Sequence, residues 1–147
     1  KFKLTDELDG TDVNIGKGLL SPTRTYAPLL LEFFKNKDIK NSINGIIHCT
    51  GGAQTKVMKF LDKPLHINKH TPIEIPTLFK TIQETTGTSL KEMYEVFNMG
   101  HRLEVYCPQA LAEELISIAS GFNIRAAIIG DCTLAKKPTL SIGNISY

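Results

Sequence analysis

Thr50, Gly51 and Gly52 stand between an apolar, β-branched run, Ile43 to Cys49, and a stretch from Gln54 to Leu61 in which Val57, Met58, Phe60 and Leu61 recur at helical spacing. The run reads as a buried strand and the stretch as a helix with those four residues on its inner side. Paired glycines admit positive φ and let a ligand approach where a Cβ would stand in the way. The turn also delivers a helix N-terminus, whose unpaired N–H groups and positive dipole end favour an anion. A phosphate there gains roughly 0.3–2 kcal/mol from the dipole, before direct hydrogen bonds are counted. The same residues also suit a plain strand-to-helix turn with no ligand, so two readings stand at this point.

Other candidate groups are sparser. Thr23 and Arg24 follow Ser21-Pro22, a good N-cap and first-turn pair, and can serve either a phosphate or a helix cap and a solvated charge. Cys49, Cys107 and Cys132 are odd in number and match no zinc spacing or disulfide framework. Each closes an apolar run, so all three read as small buried thiols of a protein from the reducing cytoplasm. His66 and His70 have the i, i+4 spacing of a helical metal pair. Pro64 and Pro72 bracket them, however, and a strand would hold them ~13 Å apart. No metal site is predicted, and no residue is assigned a catalytic role.

The elements that must position these groups follow in order. Residues 1–18 are mixed and polar, with Asp6, Glu7, Asp9 and Asp12 as the one local acidic cluster, and read as a loose lead-in. A helix from Pro22 is interrupted by Pro28 and either kinks or begins again, running on through Phe34. Leu65 to Lys69 alternates like a half-exposed strand. Pro76 opens a helix over 77–85, stopped by Gly87, and Ser89 with Glu92 forms a capping box for the next, through Phe97. Leu103 to Cys107 reads as a strand, and Pro108 starts an amphipathic helix ended by Gly121. Ile124 to Ile129 and Leu140 to Ile145 read as the last two strands. Helices and strands alternate without a strict βαβ rhythm, which predicts an α+β domain, a mixed β-sheet with helices packed on it.

With 147 residues the chain suits one domain able to bury about two-thirds of its unfolded surface. Hydrophobic residues at 41% and charged residues at 22% are ordinary for a globular protein, and the net charge of +2 gives no reason to expect nucleic acid or an anionic membrane as partner. No apolar run approaches the ~20 residues that span a bilayer.

Four segments, in order and spacing, resemble one family. They are Leu19-Leu20-Ser21-Pro22-Thr23-Arg24-Thr25-Tyr26, His48-Cys49-Thr50-Gly51-Gly52, Met93-Tyr94-Glu95-Val96-Phe97-Asn98-Met99-Gly100 and Ile129-Gly130. Together they resemble the C-terminal domain of phosphoribosylformylglycinamidine cyclo-ligase, also called aminoimidazole ribonucleotide synthetase. The resemblance spans residues 11–133 and places the domain at 19–147, with 1–18 as a linker from an N-terminal domain outside this sequence. It implies step five of purine biosynthesis: ATP activates the formyl oxygen of formylglycinamidine ribonucleotide, and an amidine nitrogen closes the imidazole ring. ATP and Mg2+ would then belong mainly to the N-terminal domain, which would also make the main contact of a cytoplasmic homodimer. This chain would be the substrate side, inactive alone. Thr23, Arg24, His48, Thr50, Gly51, Gly52, Asn98, Gly100 and Arg102 would bind the phosphorylated substrate.

Two positions depart from the family's pattern. Ala53 stands where a third glycine is usual, and His101-Arg102-Leu103 replaces a small apolar Ile-Gly-Met run. His101 reads as a hydrogen-bonded structural histidine rather than a general base, and Arg102 as the phosphate or carboxylate partner. The alternatives are another ATP-using enzyme of the superfamily, such as the amidotransferase of the preceding purine step or selenophosphate synthetase, and a non-enzymatic anion-binding module.

Overall fold

A computed structural model describes residues 2–147. Six α-helices, one 3₁₀ helix and six short strands are described. Helices α1 (Ile15–Leu19), α2 (Ala27–Lys35) and α3 (Lys37–Ser42) lead into β1 (Gly45–His48). The 3₁₀ helix Ala53–Phe60 and β2 (Leu65–Lys69) follow, then α4 (Thr77–Thr86) and α5 (Leu90–Val96). The chain closes with β3 (Leu103–Tyr106), α6 (Gln109–Gly121), β4 (Asp131–Leu134), β5 (Thr139–Ile142) and β6 (Ile145–Ser146).

The strands make two ladders. β1 and β3 pair antiparallel, with His48 opposite Leu103. The second sheet runs β4-β2-β5-β6. Its β2 is antiparallel to β4 and parallel to β5, so the sheet is mixed, as the alternation of elements predicts.

The β1–β3 ladder is a wall between two cores, and the period-2 alternation of β3 explains why. Leu103 and Val105 pack against the helical core of Leu29, Phe33, Ile39, Leu115 and Ala119. Tyr106, with Ile47 of β1, packs on the other core, built from Val57, Ile67, Met93, Tyr94, Met99, Leu140 and Ile142. Glu104 shares the parity of Tyr106, which commits a carboxylate to the interior, 5% exposed.

Helix ends follow their local chemistry. The Ser89 side chain accepts from the Glu92 N–H, and Gly87 closes α4 at φ +70°. Pro28 stands in the first turn of α2, where a missing N–H costs nothing. The helix therefore begins at Ala27, and residues 21–26 are non-helical, with Ser21-Pro22 capping nothing.

The structure corrects five further expectations. The segment after Gly52 is a 3₁₀ helix rather than an α-helix, and Phe60 on it is 63% exposed, so only Val57 of the expected inner face is fully buried. Residues 124–129 form no ladder. The strand lies later, at β4, because a strand needs an edge to pair with, and β2 offers its edge to residues 131–134. The expected final strand is two, β5 and β6, folded back at Gly143 (φ +54°). Cys132 rides on β4 and is exposed, unlike the buried Cys49 and half-buried Cys107. Within residues 1–18, read as a loose lead-in, the described residues fold on themselves: Glu7 bridges Asn14, Leu8 and Ile15 are buried, and α1 packs near α4.

Candidate functional site

At the end of β1 the chain turns sharply, and the Thr50 N–H donates to the His48 carbonyl (2.8 Å). Ala53 N–H then donates to the Thr50 carbonyl (2.7 Å), closing the turn around Gly51 and Gly52. Gly52 has φ +85°, which a side chain would strain. Gly51 is different. Its backbone takes no left-handed conformation, and a Cβ there would meet no atom within 4 Å. Neither packing nor backbone geometry requires glycine at 51, and the space above it is open.

Lys56, one turn along the 3₁₀ helix, arches back over this loop. Its ammonium donates to the His48 carbonyl (3.0 Å) and to Thr50 Oγ1 (2.8 Å). An ammonium has three protons, so one remains for a further acceptor. Among the described residues the N–H groups of Gly51 and Gly52 find no acceptor. His48 serves the turn through its carbonyl alone: its ring packs edge-on to Tyr26, centroids 5.7 Å apart, and its Nε2 is buried without a partner, closed to a ligand over the turn. Two donors of the main chain and one ammonium proton are thus left over at one turn. Such a set can hold a phosphate or a carboxylate.

Ala53, where the resemblance leads one to expect glycine, has φ +42° and is 1% exposed. Gln54, next in line, is fully buried and reaches across to the Asn98 loop, its Nε2 donating to the Asn98 carbonyl (2.6 Å). Asn98 itself serves its own turn, with Oδ1 accepting from the Gly100 N–H (2.9 Å). Gly100 has φ +98°, and a Cβ there would press on Pro76. Both residues therefore have structural reasons to be what they are.

His101 is 3% exposed. The Ile73 N–H donates to its Nε2 (2.8 Å), so the neutral ring carries its proton on Nδ1, which finds no partner. Burial pushes its pKa below the usual 6.5, which suits the structural role that its residue type suggests. Arg102 is exposed, and its carbonyl accepts from the Cys49 N–H (2.9 Å), one residue from Thr50. Thr23 and Arg24 are exposed on the segment before α2, and Arg24 lines a groove with Thr25, Pro28, Leu29, Phe122 and Ile124. The structure thus gathers His48, Thr50, Gly51 and Gly52, sets Arg102 beside them through its main chain, and gives Arg24 to a groove of its own.

Sequence reasoning passed over Lys56, Gln54, Lys69 and Glu104. Lys69 and Glu104 form a buried ion pair at 2.6 Å, with side chains 2% and 4% exposed. The available signal was parity, since Lys69 follows Leu65 and Ile67 onto the inward face of β2. Cys49 lies in the same interior, and burial, with the nearby Glu104 carboxylate, pushes its thiol up to about 12.

Among the described residues no three His, Cys, Asp or Glu side chains converge as a metal-binding group. Asp6, Glu7, Asp9 and Asp12 do not converge into a set that would hold Mg2+.

Comparison with known proteins identifies the family and the fold. Residues 2–143 match the family described as AIR synthase related protein, C-terminal domain. The chain is 35% identical over 130 residues to phosphoribosylformylglycinamidine cyclo-ligase of Methanocaldococcus jannaschii, covering 88% of this chain and 36% of that protein. It is 28% identical over 137 residues to the enzyme of the same name from Carboxydothermus hydrogenoformans, covering 92% of this chain and 39% of that one. The crystal structure of E. coli HypE, a hydrogenase maturation protein, shares the fold with TM-score 0.59 and 16% identity, over 95% of this chain and 41% of that one. The chain thus spans well under half the length of these relatives. With the family matched from residue 2 to residue 143, it belongs to the AIR synthase related proteins, as a C-terminal domain of that family.

Proposed function

We propose that this chain is the substrate-side domain of an ATP-dependent cyclo-ligase that converts formylglycinamidine ribonucleotide to aminoimidazole ribonucleotide, and that the ribose phosphate seats on Thr50-Gly51-Gly52. The observation that carries the reading is the set of unspent donors at that turn, the Gly51 and Gly52 N–H groups and the third proton of Lys56, under open space at Gly51. The relatives bearing the cyclo-ligase name supply the substrate class.

The role of this chain's own residues is to bind and orient. Lys56 neutralises part of the phosphate charge, and the glycine N–H groups fix its position. ATP and Mg2+ are held by an N-terminal domain of the longer polypeptide, which is the partner of this chain within a cytoplasmic homodimer. Alone, the chain binds the phosphate end and turns nothing over. Among the described residues no helix is long and apolar enough to cross a membrane.

The test is titration of the purified chain with inorganic phosphate and with ribose 5-phosphate, followed by the amide resonances of Gly51 and Gly52. Both are expected to shift with saturation, and Gly51→Val to weaken binding about tenfold or more while leaving the unfolding midpoint in place. Unmoved glycine resonances in the folded chain would refute the phosphate seat. Substrate-dependent ADP release by the chain alone would show that the catalytic machinery lies here after all.

A further inference from the structure

Away from the open turn, the interior holds a polar network that the proposed chemistry does not use. The Lys69 ammonium donates to Glu104 Oε1 (2.6 Å), to the Gln54 carbonyl (2.8 Å) and to Gln54 Oε1 (2.9 Å). Its three protons are all spent. The second oxygen of Glu104 accepts from the Tyr106 hydroxyl (2.7 Å). Gln54 passes the connection on, its Nε2 donating to the Asn98 carbonyl (2.6 Å), which also accepts the His101 N–H (2.9 Å). One ammonium thus grips a single residue at both its main chain and its side chain. That residue stands two places after Gly52.

Stability does not account for this arrangement. Taking two charges out of water costs several kcal/mol per ion, and apolar replacements of similar volume are often as stable or more so. What an apolar pair cannot do is orient Gln54. Immediately before Gln54 stands Ala53, held at φ +42°. A left-handed alanine persists only where its surroundings over-determine it. The network supplies that constraint from strands β2 and β3, through a glutamine, to the turn on one side and to the Asn98-Met99-Gly100 loop on the other.

We infer that Lys69 and Glu104 are positioning residues: through Gln54 they lock the Gly51-Gly52 turn to the Asn98-Met99-Gly100 loop and so fix the geometry of the anion seat. The inference rests on the proposed phosphate seat for its binding consequence, and on the hydrogen bonds alone for its mechanical one.

The test uses two variants of the whole chain. Lys69→Met/Glu104→Leu/Tyr106→Phe removes the network with its volume roughly kept and strands no charge. Gln54→Met cuts only the link. Each is followed by urea unfolding, by the amide resonances of Gly51, Gly52, Met99 and Gly100, and by titration with inorganic phosphate. In both variants the two segments are expected to shift together, and phosphate affinity to fall about tenfold, with the triple variant still folding cooperatively. A folded triple variant with unmoved resonances and unchanged affinity would overturn the inference. Should the triple variant fail to fold, Gln54→Met decides: a shift confined to one of the two segments overturns it, and a joint shift supports it. If the wild-type chain binds no phosphate, the proposed seat fails, while the joint shift still decides the positioning role.

Discussion

Gly130 lies against Asn68 so closely that a Cβ on Gly130 would overlap the Asn68 carbonyl oxygen. The contact is backbone on backbone, where β4 swings onto the edge of β2, and the neighbouring Thr71 N–H donates to the Ile129 carbonyl (3.0 Å). Gly130→Ala is expected to destabilise the chain by about 2–3 kcal/mol, since neither backbone can give way cheaply. Gly51→Ala, with open space above it, should cost no more than about 0.5 kcal/mol. Urea unfolding of the two variants side by side measures the contrast.

Ala53 tests the cost of a left-handed alanine. Ala53→Gly removes the strain and also one buried methyl group, each of about 1 kcal/mol, so the net change should stay within about 1 kcal/mol of zero. Ala53→Val keeps the conformation and adds branching at a fully buried site, and should lose more than about 2 kcal/mol. Thermal unfolding of both variants gives the comparison.

His101 makes stability depend on pH. Burial is the main cause of its lowered pKa, with Glu104 opposing it and Lys69 adding to it, and the Ile73 N–H bond to Nε2 is one that only the neutral ring can accept. The unfolded chain therefore binds a proton at a pH where the folded chain still refuses it. Its contribution is present above the unfolded value of about 6.5 and is lost as pH falls through 6.5 toward the lower folded value. Comparing urea midpoints at about pH 7.5 and pH 5 should show a smaller acid-side loss in His101→Gln than in the wild type.

The cysteines should separate by reactivity. Cys49 is buried with its thiol pushed up to about 12, whereas Cys132 is exposed on the edge strand. At about pH 8 iodoacetamide should modify Cys132 more than about tenfold faster than Cys49, with Cys107 between them. Peptide mass spectrometry over time reads the order, and denaturant should abolish it.

Arg102 is exposed, and its main chain is bonded to Cys49. Arg102→Ala is expected to weaken phosphate binding about two- to fivefold, the scale of an exposed charge pair, and added salt should shrink the difference. Equal affinity at low salt would leave Arg102 a surface charge.

Which parts of this architecture could be read from the chain follows from how local their causes are. Pro76, Ser89 and Pro108 announce α4, α5 and α6, because a helix start is decided within a few residues. The turn through Thr50, Gly51 and Gly52 is legible for the same reason. The strand at 131–134 is not, because its four residues are all exposed and lack an apolar alternation, and only the free edge of β2 makes them a strand. The apolar run just before it has the better composition and no ladder. Lys69 and Glu104 stand 35 residues apart. Inward parity marks each as unusual, but the pairing exists only once the β1–β3 wall and the second sheet face each other.

The register of β2 carries a consequence for the order of assembly. Ile67 sits between Cys132 on one side and Leu140 on the other. Neither neighbour exists on the ribosome until residues 131–142 have been made. Closing such long loops is entropically costly, and proteins dominated by distant pairings fold slowly. The helices around Phe33 and Leu115 can collapse early, whereas the second sheet, and with it the burial of Lys69, must wait for residues 131–142. A nascent chain stalled before Asp131 would therefore hold Glu104 and Gln54 already made, yet leave β2 unpaired along both edges with its apolar face open to water.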